Sequence, residues 1–133
     1  MSPDAEPIYL TADEVLVLHA EIVGSPTASA DLVRDWNLLE SALYRPRTAA
    51  YYEAATLARQ AATLLWGIVE NHPFHDGNKR TGWVAMRTFL LANGWTVAAT
   101  DDEKFDLVIG ITQGLGVDEA EGWLEERMAP ECP

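Results

Sequence analysis

A chain of 133 residues that is 48% hydrophobic has the size and apolar content of one soluble domain with a real core. Its net charge of −12 would repel a phosphate backbone, which argues against nucleic acid as the main partner. No apolar run reaches the roughly 18 residues that read as a membrane span. Residues 1–6 lack the basic-then-apolar order of a signal peptide, and the single cysteine, Cys132, leaves disulfides no part in folding. A cytoplasmic protein without membrane contact is expected.

The charge is uneven. Residues 1–30 carry five acids and no Lys or Arg, and residues 91–133 carry ten acids against Lys104 and Arg127. Seven of the nine cations therefore fall within residues 31–90. Either acidic ends keep a small protein soluble, or an acidic body carries a local positive site for a nucleotide.

In chain order, Thr11-Ala-Asp-Glu14 has the pattern of a capping box, in which hydroxyl and carboxylate satisfy free N–H groups at a helix start. The helix it opens runs to about Val23 and stops at Gly24, with Pro26 beyond. Residues 24–30 read as a loop. A second helix starts near Leu32 or Asp35 with Leu38, Leu39, Ala42 and Leu43 on its apolar side, reaches Tyr44, and is ended by Pro46. Residues 45–52, with Thr48 and the Tyr51-Tyr52 pair, read as a loop or a short extended flap.

The helical signal is strong over residues 53–71. There Thr56, Arg59, Gln60, Thr63, Gly67 and Glu70 recur at spacings of three and four as one polar stripe. Residues 78–93 form a further helix closed by Gly94. Its near absence of polar residues after Gly82 predicts a buried position at the centre of a bundle. Residues 95–99 suit a short extended piece. Thr100-Asp-Asp-Glu103 is a second capping box, opening a helix to about Thr112, and a last amphipathic helix covers about 117–128. The expectation is an all-α fold: a compact single-domain helical bundle of about six helices over residues 1–133, with a buried central helix after residues 72–81. Residues 1–7 are expected to be disordered and residues 129–133 frayed.

The chemistry concentrates in His72-Pro-Phe-His-Asp-Gly-Asn-Lys-Arg-Thr81, between two helical segments. Pro73 helps fix the exit from the first helix, and Gly77 permits positive φ or a close approach of backbone to ligand. The N–H groups of residues 77–80 then point into the concavity, where a helix start favours negative charge. Lys79 and Arg80 add two full positive charges, and Arg can grip phosphate oxygens bidentately. Asp76 would be repelled by a bare phosphate but suits a phosphate-bound Mg²⁺. His72 is the natural general base toward an attacking hydroxyl. Blander roles stand beside these: His75 as a structural loop residue, Phe74 as a core anchor, Asn78 as a helix N-cap. A zinc site from His72, His75 and Asp76 is an alternative that the two adjacent cations disfavour.

The run from His72 to Arg80 closely resembles the signature of the Fic/Doc superfamily and, more narrowly, that of its death-on-curing (Doc) toxin branch. Fic adenylyltransferases carry a second glycine where this chain has Lys79 and a further arginine where it has Trp83, and Doc-type proteins share both departures. Arg34-Asp35, Leu39-Glu-Ser-Ala-Leu43 and Pro46 resemble the family's second helix, and Phe89-Leu-Leu-Ala-Asn-Gly94 the end of its central helix, so the likeness spans about residues 8–100.

The resemblance implies a Fic/Doc-like helical fold and a toxin of a toxin–antitoxin pair. The implied activity is transfer of the γ-phosphate of ATP to a threonine or serine hydroxyl of a protein, elongation factor Tu in Doc-type members, which halts translation. By position, His72 would be the base, Asp76 would hold Mg²⁺, and Gly77, Asn78, Lys79 and Arg80 would hold phosphates. Residues 45–51 match the family's target-docking flap by position alone. The alternatives are a Fic-type adenylyltransferase, which Lys79 disfavours, and a catalytically idle binding module. Residues 2–6 have the spacing of the inhibitory segment some Fic proteins carry, but Pro7 follows. Restraint is therefore expected from a separate antitoxin whose acidic–apolar tail folds into a groove between helices.

Overall fold

Capped, amphipathic segments divide the chain into helices, and a computed structural model, which describes residues 6–131, shows how they assemble. Among the described residues there are six α-helices: α1 (Ala12–Val23), α2 (Trp36–Glu53), α3 (Leu57–Asn71), α4 (Asn78–Ala92), α5 (Asp101–Thr112) and α6 (Val117–Arg127). A 3-10 turn, Ala30–Leu32, precedes α2. Two short strands, β1 (Trp95–Val97) and β2 (Met128–Pro130), complete an otherwise all-helical domain. None of the helices is long and apolar enough to cross a membrane.

Both capping boxes form. Thr11 Oγ1 accepts the Glu14 N–H while Glu14 Oε1 accepts the Thr11 N–H at 3.0 Å, and Thr100 and Glu103 do the same at the start of α5. Arg127 Nε donates to Glu103 Oε2 at 2.9 Å. The Thr100 N–H first, and Arg127 with it, hold the Glu103 carboxyl below the usual carboxylate range.

The second helix departs from expectation. It starts where foreseen, with the Asp35 carboxylate capping the Leu38 N–H at 3.0 Å, but it runs through Pro46 to Glu53, so the flap expected over residues 45–52 is helix. Proline removes one helical donor, which weakens a helix interior. Here Leu39, Ala42, Leu43, Pro46 and Ala49 are all buried at helical spacing along α3, and burial of that stripe outweighs the missing bond.

In α3, which starts at Leu57 behind an N-cap on Thr56, the polar stripe is partly internal. Gln60 and Thr63 are buried. Gln60 Oε1 accepts the Tyr9 hydroxyl at 2.8 Å, its Nε2 donates to the Ala55 carbonyl at 3.1 Å, and the Thr63 hydroxyl donates to the Gln60 carbonyl at 2.7 Å. Because each polar atom finds a partner, the seam is tolerated in the core. Helix α3 packs on α2, α4, α5 and α6, and α4 shares the centre with it. Leu64, Leu65, Ile68, Met86, Phe89 and Leu90 fill the space between them.

The C-terminal end is also more ordered than expected. The fraying foreseen from residue 129 is replaced, as far as the described residues go, by β2, which pairs antiparallel with β1 in the register Trp95↔Pro130 and Val97↔Met128. Arg127 stacks on Trp123 at 4.2 Å and donates to Glu103, which turns the chain back onto β1. Cys132 and Pro133 lie outside the described residues, as does the disorder expected over residues 1–5. From Ile8 onward the N-terminal segment is pinned. Asn93 Oδ1 accepts the Ile8 N–H at 2.8 Å, and Asn93 Nδ2 donates to the carbonyls of Ile8 and Phe89 at 2.9 and 2.8 Å.

Asn93 is buried, so Asn93→Ala strands three backbone groups at once. We expect it to lower the free energy of unfolding by about 2–3 kcal/mol in urea titrations. A loss below about 0.5 kcal/mol, the size of an ordinary surface substitution, would show that this tie contributes little.

Candidate active site

Residues 72–77 form the loop between α3 and α4, and its backbone is held from several sides. Phe74 is the foot of the loop, 1% exposed, as its reading as an anchor anticipates. The Asn78 side chain reaches back to it. Asn78 Oδ1 accepts the Phe74 N–H and Asn78 Nδ2 donates to the Phe74 carbonyl, each at 2.9 Å. The N-cap of α4 is therefore Gly77 and not Asn78, and the Asn78 amide is committed to the loop. Its backbone N–H, not its side chain, is what Asn78 can offer a phosphate.

Gly77 has φ +74°, and a Cβ there would stand 2.9 Å from Val23 Cγ1 on α1. Both conformation and space require glycine, and the close approach is to the neighbouring helix.

Helix α1 supplies a contact that local sequence did not reveal. His19, 1% exposed, stacks on the Phe74 ring with centroids 3.7 Å apart, and its Nε2 lies 2.9 Å from the Asp76 carbonyl oxygen. The carbonyl can only accept, so Nε2 carries a hydrogen, while Nδ1 has no partner among the described residues. A lone histidine on an apolar helix face gives no signal of such a role.

The segment ahead of α2 closes the other side. Val33 forms a bridge with Phe74, the Arg34 and Asp35 N–H groups donate to the Pro73 carbonyl at 2.7 and 3.1 Å, and the His75 N–H donates to the Leu32 carbonyl at 3.3 Å. The Arg34 guanidinium caps the C-terminus of α3, with Nε donating to the His72 carbonyl at 2.7 Å and Nη2 to the Asn71 carbonyl at 2.9 Å. Thus the segment lying along the loop as an edge is residues 32–35, not 45–52.

What remains exposed is the chemistry: His72, His75, Asp76, Lys79 and Arg80. His72 is the C-cap of α3 in the left-handed region at φ 51°, a strained setting for a residue with a Cβ. Its Nδ1 lies 3.2 Å from the Glu70 carbonyl oxygen. With Nδ1–H donating there, Nε2 is left with a lone pair facing away from that contact, the form a general base requires. Asp76, Lys79 and Arg80 form no ion pair among the described residues. The first backbone bond of α4 runs from the Thr81 N–H to the Gly77 carbonyl at 2.9 Å, so the N–H groups of Asn78, Lys79 and Arg80 have no intrahelical acceptor. No three His, Cys, Asp or Glu side chains are grouped as metal ligands among the described residues. A single exposed carboxylate is nevertheless enough for a magnesium ion whose other ligands are phosphate oxygens and water.

Beside the first turn of α4 a groove of about 580 Å³ runs between α1, α4 and α5. Trp83, Phe105 and Val108 line its apolar length, and Lys79, Arg80 and Lys104 outnumber its one acid, Asp101.

Comparison with known proteins gives the family and the fold. The chain belongs to the Fic/Doc family, whose family model, Fic/DOC, matches residues 9–90. Among its relatives is Toxin Doc of Mycolicibacterium smegmatis, 36% identical over 127 residues, which is 93% of this chain and 83% of that protein. Two solved structures share the fold. BepC of Bartonella tribocorum with bound AMPPNP aligns with a TM-score of 0.51 at 19% identity over 71% of this chain and 50% of that one. The N-terminal Fic domain of a VirB-translocated Bep effector of Bartonella quintana with bound ADP aligns with a TM-score of 0.51 at 18% identity over 70% and 48%. This chain therefore spans about half the length of those two structures.

Replacing Asn78 by Ala leaves the Phe74 N–H and C=O buried without partners. We expect Asn78→Ala to cost about 2 kcal/mol of stability and to speed hydrogen exchange at the Phe74 amide well beyond that at Leu90 in the core. Equal acceleration at both sites would mean that the clamp serves the whole fold and not the loop.

Proposed function

We propose that this chain is a Doc-type toxin that transfers the γ-phosphate of ATP to a threonine or serine hydroxyl of a protein, with elongation factor Tu the expected target, and is restrained by a separate antitoxin. The observation that carries the proposal is the division within residues 72–80. The loop backbone is bonded to α1, α4 and the segment before α2, whereas His72, Asp76, Lys79 and Arg80 stay exposed and free of ion pairs among the described residues. Phosphoryl transfer asks of a protein mainly positioning and neutralisation of charge, which a small rigid loop can supply.

In this reading the free N–H groups at the start of α4 and the side chains of Lys79 and Arg80 hold the phosphates. Magnesium held by Asp76 would neutralise charge building between the β- and γ-phosphates. His72 Nε2 takes the proton of the attacking hydroxyl as its oxygen bonds to the γ-phosphorus, and the bond from that phosphorus to the bridging oxygen breaks to release ADP. The protein hydroxyl would arrive along the edge of residues 32–35, which flanks the loop beside Phe74.

Lys79 favours this course over adenylyl transfer, because it places bulk and charge where adenylyltransferases have an open glycine. The groove between α1, α4 and α5 suits an acidic–apolar antitoxin segment by its apolar walls and excess of cations. Since Lys79 and Arg80 belong to both groove and phosphate site, such a segment would compete for the phosphate ligands.

Incubating the purified protein with lysate and either γ-labelled or α-labelled ATP tests the reaction. Protein label from the γ position alone is expected, and label from the α position would establish nucleotidyl transfer instead. Lys79→Ala should lower γ-transfer by about a hundredfold to a thousandfold, the range for loss of one preorganised charge-stabilising donor. On expression the parent should arrest growth, while His72→Ala and Asp76→Ala should not. Arrest by His72→Ala as strong as by the parent would remove His72 from the role of base.

A further inference from the structure

One cation far from the loop is placed against the protein interior without the partner its chemistry requires. Arg45 lies in the middle of α2, with its guanidinium carbon 5.2 Å from the centre of the Trp66 ring. A Cβ on Gly67 would stand 2.8 Å from Arg45 Cδ and 3.1 Å from its Nε, so the absent side chain in mid-α3 is the space Arg45 occupies. Glycine in a helix interior is unfavourable by about 1 kcal/mol relative to alanine. Arg45 Nε is buried with no hydrogen-bond partner. No acid among the described residues comes within ion-pair reach of Arg45, although Arg59, Lys104 and Arg127 each have at least one. A buried donor left unmatched costs on the order of 1–3 kcal/mol, so the free protein holds Arg45 in this position at a cost.

Arg45 borders an open cleft of about 440 Å³ between α2 and α3. Ser41, Tyr44, Thr48 and Thr63 bring hydroxyls to its lining, and Glu53 is its one acid. The Thr48 and Thr63 hydroxyl hydrogens go to the carbonyls of Tyr44 and Gln60. The Glu53 carboxylate is engaged by Arg59 Nη2 at 3.5 Å. Arg45 is thus the unneutralised charge of the cleft, with the Ser41 and Tyr44 hydroxyls beside it. The site is distinct from the phosphate loop, because Gly67 precedes His72 by more than one turn of α3.

We propose that this cleft binds a carboxylate, gripped by the planar fork of Arg45 over the Trp66 ring, with Ser41 and Tyr44 as secondary donors. The carboxylate comes either from a free small acid or from an acidic side chain of a docked protein.

The test is an NMR titration of the intact ¹⁵N-labelled protein with citrate and, separately, with penta-glutamate, following the Arg45 Nε–H and Trp66 indole N–H resonances. Saturable shifts of both are expected with at least one probe, and sodium chloride at equal ionic strength should leave them in place. Arg45→Lys keeps the charge and loses the fork, so it should weaken binding by about tenfold. Saturation by citrate alone identifies a free acid as the ligand, and saturation by penta-glutamate, alone or more tightly, identifies an acidic protein segment. No saturable shift with either probe, or an unchanged affinity in Arg45→Lys, overturns the proposal. Neither outcome bears on the γ-phosphate reaction, which needs none of these residues.

Discussion

Two hydrogen bonds between the Asn78 amide and the backbone of Phe74 close the loop on which the rest of the site depends. A side chain returning four residues along the chain satisfies a donor and an acceptor that burial of Phe74 would otherwise strand. The Phe74 ring then serves as a fixed foot, with the His19 ring stacked on it at 3.7 Å. Because His19 also holds the Asp76 carbonyl, the position of Asp76 follows from packing on α1 and not from its own side chain. A carboxylate fixed through its backbone keeps its oxygens free for a cation, which a carboxylate fixed through its oxygens would not.

The same economy applies to His72. Its backbone sits in the left-handed region, a conformation that a β-carbon makes unfavourable and that persists only where neighbours enforce it. The enforcement comes from Arg34, which takes the last two carbonyls of α3, and from the Arg34 and Asp35 amides, which take the next one at Pro73. A segment nearly 40 residues upstream thus fixes the exit of α3, and the ring is left to its Glu70 contact and to solvent. The loop is assembled from three distant parts of the chain.

That dependence explains what could be read from the sequence and what could not. Thr11 with Glu14 and Thr100 with Glu103 announce two helix starts, since a capping box is complete within four residues. The concentration of His72, Asp76, Gly77, Lys79 and Arg80 announces the site for the same reason. Pro46 misleads because its local penalty is visible, whereas the burial of the face that overrides it depends on α3. Gln60 and Thr63 look solvated by type, yet Tyr9, Ala55 and the helix backbone satisfy them inside the core. His19 and Arg34 act across distances at which no local pattern carries a signal. Asn78 is legible as a polar residue at a helix start, but its partner lies behind it in the loop and not ahead of it in the helix.

The fate of each cation extends the argument to the surface. In a body of charge −12 an arginine or lysine finds an acid readily, and Arg59 and Arg127 each bind two or more. Arg34 is occupied by helix carbonyls, and Arg47 lies over the Tyr9 and Tyr44 rings at 4.7 and 5.3 Å. Arg87 is exposed on α4, where water alone can solvate it. Lys104 pairs with Asp101. Lys79, Arg80 and Arg45 remain, each bordering a concave surface and forming no ion pair among the described residues. Neutralising them would stabilise the free protein, so leaving them unpaired preserves positive potential for something that arrives from outside. At Lys79 and Arg80 the free N–H groups of α4 add to that potential, which suits the polyphosphate of the proposed reaction. At Arg45 the charge is single and lies in mid-helix, which suits the single carboxylate proposed for that cleft. The two surfaces therefore differ in the ligand they can hold even though the same residue types build them.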